Sequence, residues 1–490
     1  MHQMVKTPAE TSRRWWVLAI VVSAQFMFGV DAFIVNVAIP TIAAELHASP
    51  AEIEAVIAIY LIAYATLVVT GGRLGDIFGT KSIFIAGVAG FALTSLWCGL
   101  AQSGPELILA RLAQGATAAL MVPQVLATLH LLFADSARAR AFAIYGVVLG
   151  LAGAAGFALG GLLVTIDLAG LGWRSVFFVN VPLGAAALWL TVHKVSESRD
   201  EEAKRIDLRG QITLGLGLGT LVFGLLRGDV AGWTDVLVLC AAGAGVLLLA
   251  AFVVVELHVP YAMLPLRLLK SRDVAGAQLS VFAISASVFA SFLYVTLYLQ
   301  GPLGLSPIQT GLMYLPGSVA MFLVSWMTPH LGRRLGQGTL ATAGLAIGTV
   351  GLALLFLDGT RTNWLPVLLQ ITLIFLGVGL YNPAISMVAL AAVPVQQSGL
   401  AAGTLDTSRH SGTALGTAAL GALVPTTSAL GNGSGAAYVT ALHHVIVLAV
   451  ALAVVGAIAS AMLIGRHRAP VPVDDEVILS TVVAEEALAA

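Results

Sequence analysis

The sequence predicts an all-α polytopic membrane protein. Of its 490 residues, 58% are hydrophobic and 10% are charged, and the mean hydropathy is +0.95. Soluble domains carry about 25% charged residues. The apolar residues also form uninterrupted runs of about 18 to 25 residues, the length that an α-helix needs to cross a bilayer. These observations exclude an ordinary water-soluble protein.

Fourteen such runs follow one another along the chain, grouped as six, two and six. The predicted spans are 15–39, 53–71, 82–101, 106–131, 141–164, 174–192, 210–227, 235–256, 275–299, 308–328, 338–357, 364–391, 399–423 and 441–464. The grouping predicts an N-terminal six-helix bundle (1–193), a linker (194–209), two additional helices (210–257), a second linker (258–274), a C-terminal six-helix bundle (275–464) and a tail (465–490).

The basic residues set the orientation of these spans. Lysine and arginine favour cytoplasmic loops, and most of the 24 such residues fall in loops on the side of the N-terminus. Of those in loops, only Arg174, Arg227 and Arg361 fall on the other side. We expect both termini, both linkers and the tail to be cytoplasmic, and the chain to be a multi-pass protein of the cell (plasma or inner) membrane.

A charged, glycine-rich turn at 71–81 joins the second and third spans. Arg73 is expected on the second helix and Asp76 near the start of the third, which predicts a conformational latch. An ordinary polar loop is the alternative. The latch residues are Gly72, Arg73, Gly75, Asp76, Gly79 and Lys81. Residues 332–336 repeat the pattern between spans ten and eleven, which indicates two equivalent halves of a transporter, or an accidental similarity.

Four segments together resemble the fourteen-span drug/proton antiporters of the major facilitator superfamily. They are residues 31–40, 72–81, 111–115 and 172–182. The resemblance covers nearly the whole chain and implies a major facilitator fold, two six-helix bundles plus two extra central helices. It also implies proton-coupled antiport that exports amphipathic drug-like or secondary-metabolite molecules by alternating access, and hence multidrug efflux and antibiotic resistance. Ile77 and Thr80 stand where the family usually has basic residues, which predicts a weaker latch.

The fifth span carries glycines at every third or fourth position, which form a smooth helix face for close packing. Residues 156–161 match the antiporter signature of the family, except that Phe157 replaces its usual proline. The segment is expected to hold the cytoplasmic face closed, or to serve packing alone. Its residues are Gly146, Gly150, Gly153, Gly156, Phe157, Gly160 and Gly161.

Ionisable residues within spans are costly and are therefore candidates for function. Asp31 lies roughly 24 Å from the cytoplasmic edge, and Arg111 lies roughly 9 Å below the outer edge of a core about 30 Å thick. Because these depths nearly coincide, the two side chains can pair. The pair predicts a proton switch that opens and re-forms during transport, or a permanent buried salt bridge.

Span thirteen carries a polar stripe made of Asp406, His410, Thr413 and Thr417, with Arg409 within pairing distance of Asp406. The stripe predicts a second proton-coupling site that includes Asp406 and Arg409, a cation-recognition site, or a self-neutralised cluster. The family usually has amides near Asp406 and His410, so this carboxylate favours a cationic substrate.

Other polar and aromatic residues within spans predict a substrate cavity, although aromatic residues more often serve packing. The predicted cavity residues are Gln25, Asn36, Gln114, Tyr294, Tyr298, Asn382 and His410. The middle pair of spans is expected to contain no intramembrane charge and to brace the halves or contact a partner.

Two other transport functions stay open. One is a proton symporter or facilitator for a small metabolite, favoured by Phe157, and the other is an exporter of lipid-like molecules. An enzyme is not expected, because the spans contain no nucleotide-binding loop, metal-ligand cluster or nucleophile–base pair. We expect no cofactor beyond the proton gradient, no metal and no nucleic-acid partner. The expected partners are a small amphipathic substrate, cationic if Asp406 recognises it, and the lipid bilayer. An envelope adaptor protein is an open alternative that the sequence does not indicate.

Overall fold

Long helices joined by short turns make up the described part of the chain. A computed structural model describes residues 8–133, 135–195, 207–259, 262–360, 363–393, 398–424 and 435–464. The predicted tail, most of the linker 194–209 and Arg361 lie outside the described residues. The prediction of an all-α membrane protein is confirmed.

Each predicted span corresponds to one helix, and two of these helices are built from pieces. In chain order they are α1 (Pro8–Leu46), α2 (Pro50–Phe78), α3 (Thr80–Leu100), α4 (Gly104–Leu132), α5 (Asp135–Ile166), α6 (Ser175–Phe178 and Asn180–Lys194), α7 (Leu208–Ala231), α8 (Val236–His258), α9 (Arg272–Ile284 and Ala290–Gln300, joined by a π-helical turn at Ser285–Phe289), α10 (Pro307–Leu335), α11 (Gln337–Leu354), α12 (Trp364–Ala391), α13 (Ser398–Gly421) and α14 (Gly435–Leu463). Within the described ranges, 12 helices are long and apolar enough to cross a membrane; α5 and α13 are the other two. A total of fourteen membrane spans stays a prediction.

The two halves repeat the same local structure where their second helix begins. The Ser49 hydroxyl accepts a hydrogen bond from the Glu52 N–H (3.2 Å), and the Glu52 carboxylate accepts one from the Ser49 N–H (2.7 Å). This capping box satisfies two backbone donors that the first turn of α2 would leave free. Ser306 and Gln309 form the same box at the start of α10.

The second helices also end alike. α2 ends at Gly79 with φ +105°, and α10 ends at Gly336 with φ +89°. A positive φ strains a residue that carries a Cβ, so glycine is the residue that these two turns require. The shared starts and ends support the internal repeat that the sequence indicates.

The predicted division of the latch between two helices is wrong. α2 continues through residues 71–78, so Arg73 and Asp76 lie one turn apart on the same helix, with Nη1 and Oδ2 3.7 Å apart and both side chains half-exposed. Lys81 lies at the start of α3, where its Nζ donates to the carbonyl of Val192 in α6 at 3.0 Å.

Contacts with α4 explain why the glycine-rich segment stays helical. Gly71 lies so close to α4 that a Cβ there would be 1.9 Å from the Ala119 carbonyl oxygen. The Gly71 carbonyl also accepts from Gln124 Nε2 at 2.7 Å, and Gly75 packs against the same glutamine. The glycines therefore shape a helix–helix contact, and Gly79 alone makes the turn.

The two halves meet where α2 packs against α13, α5 against α10, and α1 against α9 and α10. We call the face of the bundle where α1 begins the N-terminal face and the other the opposite face. Toward the opposite face, Gln300 Nε2 donates to the Val37 carbonyl at 2.9 Å. There a Cβ on Gly311 would lie 2.5 Å from the Phe157 carbonyl oxygen. The halves are thus in close contact near the opposite face.

The middle pair of helices contacts both halves through α7, which packs against α8, α2 and α13. Gln211 Nε2 of α7 donates to the Thr70 hydroxyl of α2 at 2.6 Å. Glu256 in the last turn of α8 is 4% exposed. The expectation that this pair contains no intramembrane charge stays a prediction. A bracing role for the pair stays a prediction.

We expect Gly71→Ala to destabilise the protein, because the added Cβ would collide with α4. The melting temperature of the purified protein in detergent should fall by several degrees. Gly219→Ala is the matched control, since nothing lies within 4 Å of a Cβ at that position in α7 and alanine favours a helix over glycine by about 1 kcal/mol. Equal melting temperatures for Gly71→Ala and the wild type would contradict the close contact of α2 with α4.

Candidate proton-coupling and substrate site

Asp31 and Arg111 form a buried ion pair between α1 and α4. Arg111 Nη1 lies 2.7 Å from Asp31 Oδ2, and the two side chains are 2% and 0% exposed. The structure therefore brings together the two residues whose depths match in the sequence. A pair removed from water is stable only when further hydrogen bonds satisfy its remaining polar atoms.

Two amide side chains supply those bonds. Gln114 Nε2 and Asn180 Nδ2 each donate to Asp31 Oδ1 at 3.0 Å. Gln114 Oε1 accepts from Arg111 Nη1 at 2.8 Å, and Gln114 Nε2 also donates to the Ser95 hydroxyl at 2.8 Å. The network ties α1, α3, α4 and α6 around one carboxylate. Gln114, expected in the substrate cavity, is a buried member of this network.

Arg111 is also held from α2 and α6. Its guanidinium lies over the Tyr60 ring at 3.8 Å and over the Phe177 ring at 5.9 Å. Its Nε donates to the Val56 carbonyl at 3.3 Å. Cation–π contacts and the carbonyl stabilise the positive charge without water.

Sequence reasoning missed Asn180, Ser95 and Tyr60 as members of this site. Asn180 lies in the segment 172–182, and an amide within that apolar run is a signal that could have identified it. Serine and tyrosine are common in membrane helices, so Ser95 and Tyr60 carry no such signal. Their role depends on which face of each helix turns inward.

Asp406 and Arg409 pair along α13. Arg409 Nη1 lies 2.5 Å from Asp406 Oδ1. The Arg409 side chain is 25% exposed, and the Asp406 side chain is 27% exposed. Asp406 lies one turn before His410 in α13, and the His410 ring contacts Tyr64 of α2 across the seam, the contact surface between the two halves. Unlike Asp31, this carboxylate keeps accessible surface.

His410 contacts the N-terminal half through aromatic rings. Its ring meets that of Tyr64 edge-on, with centroids 4.6 Å apart, and that of Phe28 at 6.0 Å. The Thr413 and Thr417 hydroxyls donate to carbonyls one turn earlier in α13, at 3.0 and 2.9 Å. Of the predicted stripe, His410 is therefore the residue with ring contacts to the N-terminal half.

Tyr294 and Tyr298 are buried in α9. Their hydroxyls donate to the carbonyls of Thr417 and Gly359, at 2.6 and 2.8 Å. These bonds hold the C-terminal half together, so the two tyrosines serve packing in this state. Asn382 in α12 is half-buried and keeps accessible surface.

Gln25 and Asn36 are both buried in α1. The Asn36 amide donates to the carbonyls of Ala32 and Phe33, each at 3.3 Å, within its own helix. Gln25 Oε1 is buried, and within the described part of the chain it has no hydrogen-bond partner. Of the two cavity candidates in α1, Gln25 therefore has a carbonyl oxygen that is available to accept a hydrogen bond from a substrate.

Phe157 is the centre of an aromatic cluster at the seam between the halves. Its ring stacks on Tyr314 of α10, with centroids 4.0 Å apart, and meets Phe292 of α9 at 5.8 Å. Phe33 of α1 lies 5.3 Å away on the other side. A proline could not make these ring contacts, so the departure from the family signature creates a contact between the halves.

The glycines around Phe157 allow close helix contacts. A Cβ at Gly160 would lie 2.7 Å from the Ile34 carbonyl oxygen of α1, and one at Gly161 would lie 2.5 Å from the Pro307 carbonyl oxygen of α10. Gly156 and Gly153 also face Phe33 of α1. The other two glycines of the predicted segment, Gly146 and Gly150, also belong to α5, and their surroundings lie outside what the structure describes.

Among the residues that the structure describes, no group of three or more His, Cys, Asp or Glu side chains could hold a metal ion.

Comparisons with known proteins agree on one family. A model described as Major Facilitator Superfamily matches residues 21–417. The chain is 35% identical over 400 residues to the "Multidrug resistance protein Stp" of Mycobacterium tuberculosis, which covers 81% of this chain and 74% of that protein. It is 32% identical over 429 residues to the "Tetracenomycin C resistance and export protein" of Streptomyces glaucescens, which covers 85% and 78%.

The crystal structure of the nucleoside transporter NupG is similar in fold. It superposes with a TM-score of 0.64 at 14% identity, covering 92% of this chain and 99% of that one. At this identity the likeness shows the fold alone.

We expect Phe157→Ala to loosen the seam between α5 and α10, because it removes the stack on Tyr314. Loss of a buried phenylalanine side chain costs about 3–5 kcal/mol, so the melting temperature should fall clearly. Leu93→Ala is the control, since Leu93 is an exposed apolar residue of α3. An equal effect of the two substitutions would show that Phe157 carries no special contact.

Proposed function

Because the chain belongs to the major facilitator superfamily, we propose that it is a proton-coupled antiporter that exports amphipathic, drug-like or secondary-metabolite molecules by alternating access. The observation that carries the proposal is the buried Asp31–Arg111 pair, since a carboxylate deep in a transporter can take a proton from one face and release it to the other. The names of two relatives, one for multidrug resistance and one for resistance and export, support the direction of transport.

The N-terminal face lies in the cytoplasm in this proposal, because most lysines and arginines belong to loops of that face. The contacts of Gln300 with Val37 and of Phe157 with Gly311 lie toward the opposite face. Asp406 lies roughly 12 Å along α13 from the N-terminal face and keeps accessible surface. This arrangement is that of a transporter closed to the outside and ready to accept substrate from the cytoplasm.

The proton cycle follows from the ion pair. When the halves part at the opposite face, Asp31 takes a proton from outside, its charge is lost, and Arg111 keeps Gln114, the Val56 carbonyl and Tyr60 as partners. When the halves close there again, the proton leaves to the cytoplasm and the ion pair re-forms. One proton supplies about 2.3 kcal/mol per 100 mV and about 1.4 kcal/mol per pH unit.

Asp406 is the proposed contact for a cationic substrate. It is accessible, whereas Asp31 is enclosed, so an incoming cation meets Asp406 first. A cation that displaces Arg409 from Asp406 would gain a charge-assisted hydrogen bond or ion pair at the seam between the halves.

A proton symporter is the rival function, because Phe157 replaces the proline of the antiporter signature. The direction in which protons move when substrate is added distinguishes an antiporter from a symporter. In inside-out vesicles with an acidic lumen, added substrate should make the lumen more alkaline if protons leave as substrate enters. Further acidification of the lumen would indicate symport.

We expect Asp31→Asn to abolish this substrate-induced alkalinisation, because the amide cannot carry the transported proton. Asp31→Asn alone also leaves the buried charge of Arg111 without its partner, which costs about 3–5 kcal/mol. The double variant Asp31→Asn with Arg111→Gln removes that charge and should restore folded protein while proton movement stays absent.

Glu45→Gln is the matched control, since Glu45 ends α1 and pairs with Arg174 at 2.7 Å in an exposed position. It should transport like the wild type. Proton movement that persists in the folded double variant would remove Asp31 from the coupling mechanism.

We expect Asp406→Asn to weaken export of permanently cationic dyes at least about tenfold, since a hydrogen bond to a charged group contributes about 1.5–3 kcal/mol. Export of uncharged antibiotics should stay within about twofold of the wild type. Efflux from cells that lack their own exporters measures both. Equal loss for both classes would contradict cation recognition by Asp406.

A further inference from the structure

Two carboxylates lie side by side where the middle pair of helices meets the N-terminal face. Asp207 caps the start of α7, where its Oδ1 accepts from the Gly210 N–H at 2.8 Å. Glu256 lies in the last turn of α8, the antiparallel partner of α7. Asp207 is 8% exposed and Glu256 is 4% exposed. Both carboxylates are therefore almost wholly removed from solvent.

The segment that follows α8 is bound to both carboxylates through its backbone. The Leu264 N–H donates to Glu256 Oε2 at 2.9 Å, and the Met263 N–H donates to Asp207 Oδ2 at 3.3 Å. This segment leads into α9, the first helix of the C-terminal half. The two side chains therefore fasten the connection to that half onto the start of α7. We call this arrangement the carboxylate clasp (Asp207, Glu256, Met263 and Leu264).

One oxygen of each carboxylate, Asp207 Oδ2 and Glu256 Oε1, lies beside the same glycine, Gly210. A Cβ on Gly210 would lie 2.5 Å from Asp207 Oδ2 and 2.5 Å from Glu256 Oε1. Because both oxygens lie at this distance from the same point, Asp207 Oδ2 and Glu256 Oε1 are separated by at most twice the distance. Glu256 Oε1 is buried and, within the described ranges, has no hydrogen-bond partner. A buried acceptor without a donor is costly, and a proton between the two oxygens would supply the donor.

The surroundings favour a proton over a second negative charge. Asp207 is the charged group that acts on Glu256. Among the described residues near the clasp, Arg209, His258, Arg267 and Lys270 carry charged or titratable side chains, and all four are exposed. Two ionised carboxylates in one buried site repel each other, so one of them keeps its proton.

We propose that Asp207 and Glu256 bind one shared proton, and that this proton closes the clasp that holds residues 263–264 to the start of α7. The O–H of one carboxyl group donates to the facing oxygen of the other, and no other bond changes. As the pH rises, the proton leaves, the two charges repel, and residues 263–264 are released. The clasp is thus closed at low pH and open at high pH.

Hydrogen–deuterium exchange of the full-length protein in lipid nanodiscs tests this proposal. The amides of Met263 and Leu264 are the readout, because they donate to the clasp. After correction for the intrinsic pH dependence of exchange, protection of these amides should fall at least about tenfold between about pH 6 and about pH 9.

Glu256→Gln should keep the protection equal at both pH values, because its amide donates to Asp207 without titrating. Asp207→Asn, which retains the helix cap, should do the same and serves if Glu256→Gln fails to fold. Asp235→Asn is the matched control: Asp235 caps α8 at the opposite face, where it accepts from the Leu237 and Val238 N–H groups. It should behave like the wild type.

Protection that does not change with pH in the wild type, or that changes equally in both clasp variants, would overturn the proposal. The same exchange experiment at constant pH with calcium or with EDTA tests a metal ion as the ligand. A change in protection there would assign the site to a metal and also overturn it. The readout is local, so the result does not depend on whether Asp31 couples transport to protons.

Discussion

The hydrogen-bonded burial of Asp31 is the interaction on which the N-terminal half depends. A carboxylate without partners in this place would cost several kcal/mol, so each helix that supplies a partner must keep its position. α4 contributes Arg111 and Gln114, and α6 contributes Asn180. Through Tyr60, α2 is held to the same guanidinium. These helices are therefore bound to each other more firmly than any of them is bound to the other half.

The contacts between the halves are of a different kind. At α5 and α10 they consist of backbone approaching glycine and of aromatic rings, as at Gly161 and Phe157. An aromatic pair contributes about 0.5–1.5 kcal/mol beyond its buried area and leaves no unpaired polar group when it separates. A polar bridge at this face is the bond from the Gln300 side chain to the Val37 carbonyl. Such a seam can open and re-form, whereas the Asp31 network cannot open without exposing charge.

The sequence predicts this fold well because apolar length and positive charge are one-dimensional signals. Depth is one as well: a helix rises by a constant amount per residue, so Asp31 and Arg111 could be paired by counting, and the structure places them in contact. The family and the major facilitator fold implied by the motifs are confirmed by the comparisons.

The predictions that were wrong or missing concern residues whose positions depend on neighbouring helices. Counting residues along the sequence does not reveal those neighbours. The segment 71–78 reads as a turn because of its glycines and charges, yet contact with α4 keeps it helical as far as Gly79. Asn180 joins the site because of the rotation of α6, which the sequence does not fix. Glu256 lies at the end of a predicted span, and its burial against the start of α7 and the segment after α8 has no signal in the sequence.

The two proposed proton sites differ in what they can respond to. Asp31 is enclosed near the middle of the bundle, so the face that is open decides which compartment supplies its proton. The clasp of Asp207 and Glu256 lies at the N-terminal face whichever way the halves are tilted, so its proton comes from that compartment alone. In these proposals Asp31 responds to the difference in proton activity across the membrane, and the clasp responds to the pH of one side. Because the clasp holds the connection into α9, the pH of that side would act on how freely the C-terminal half moves, separately from the gradient that drives the movement.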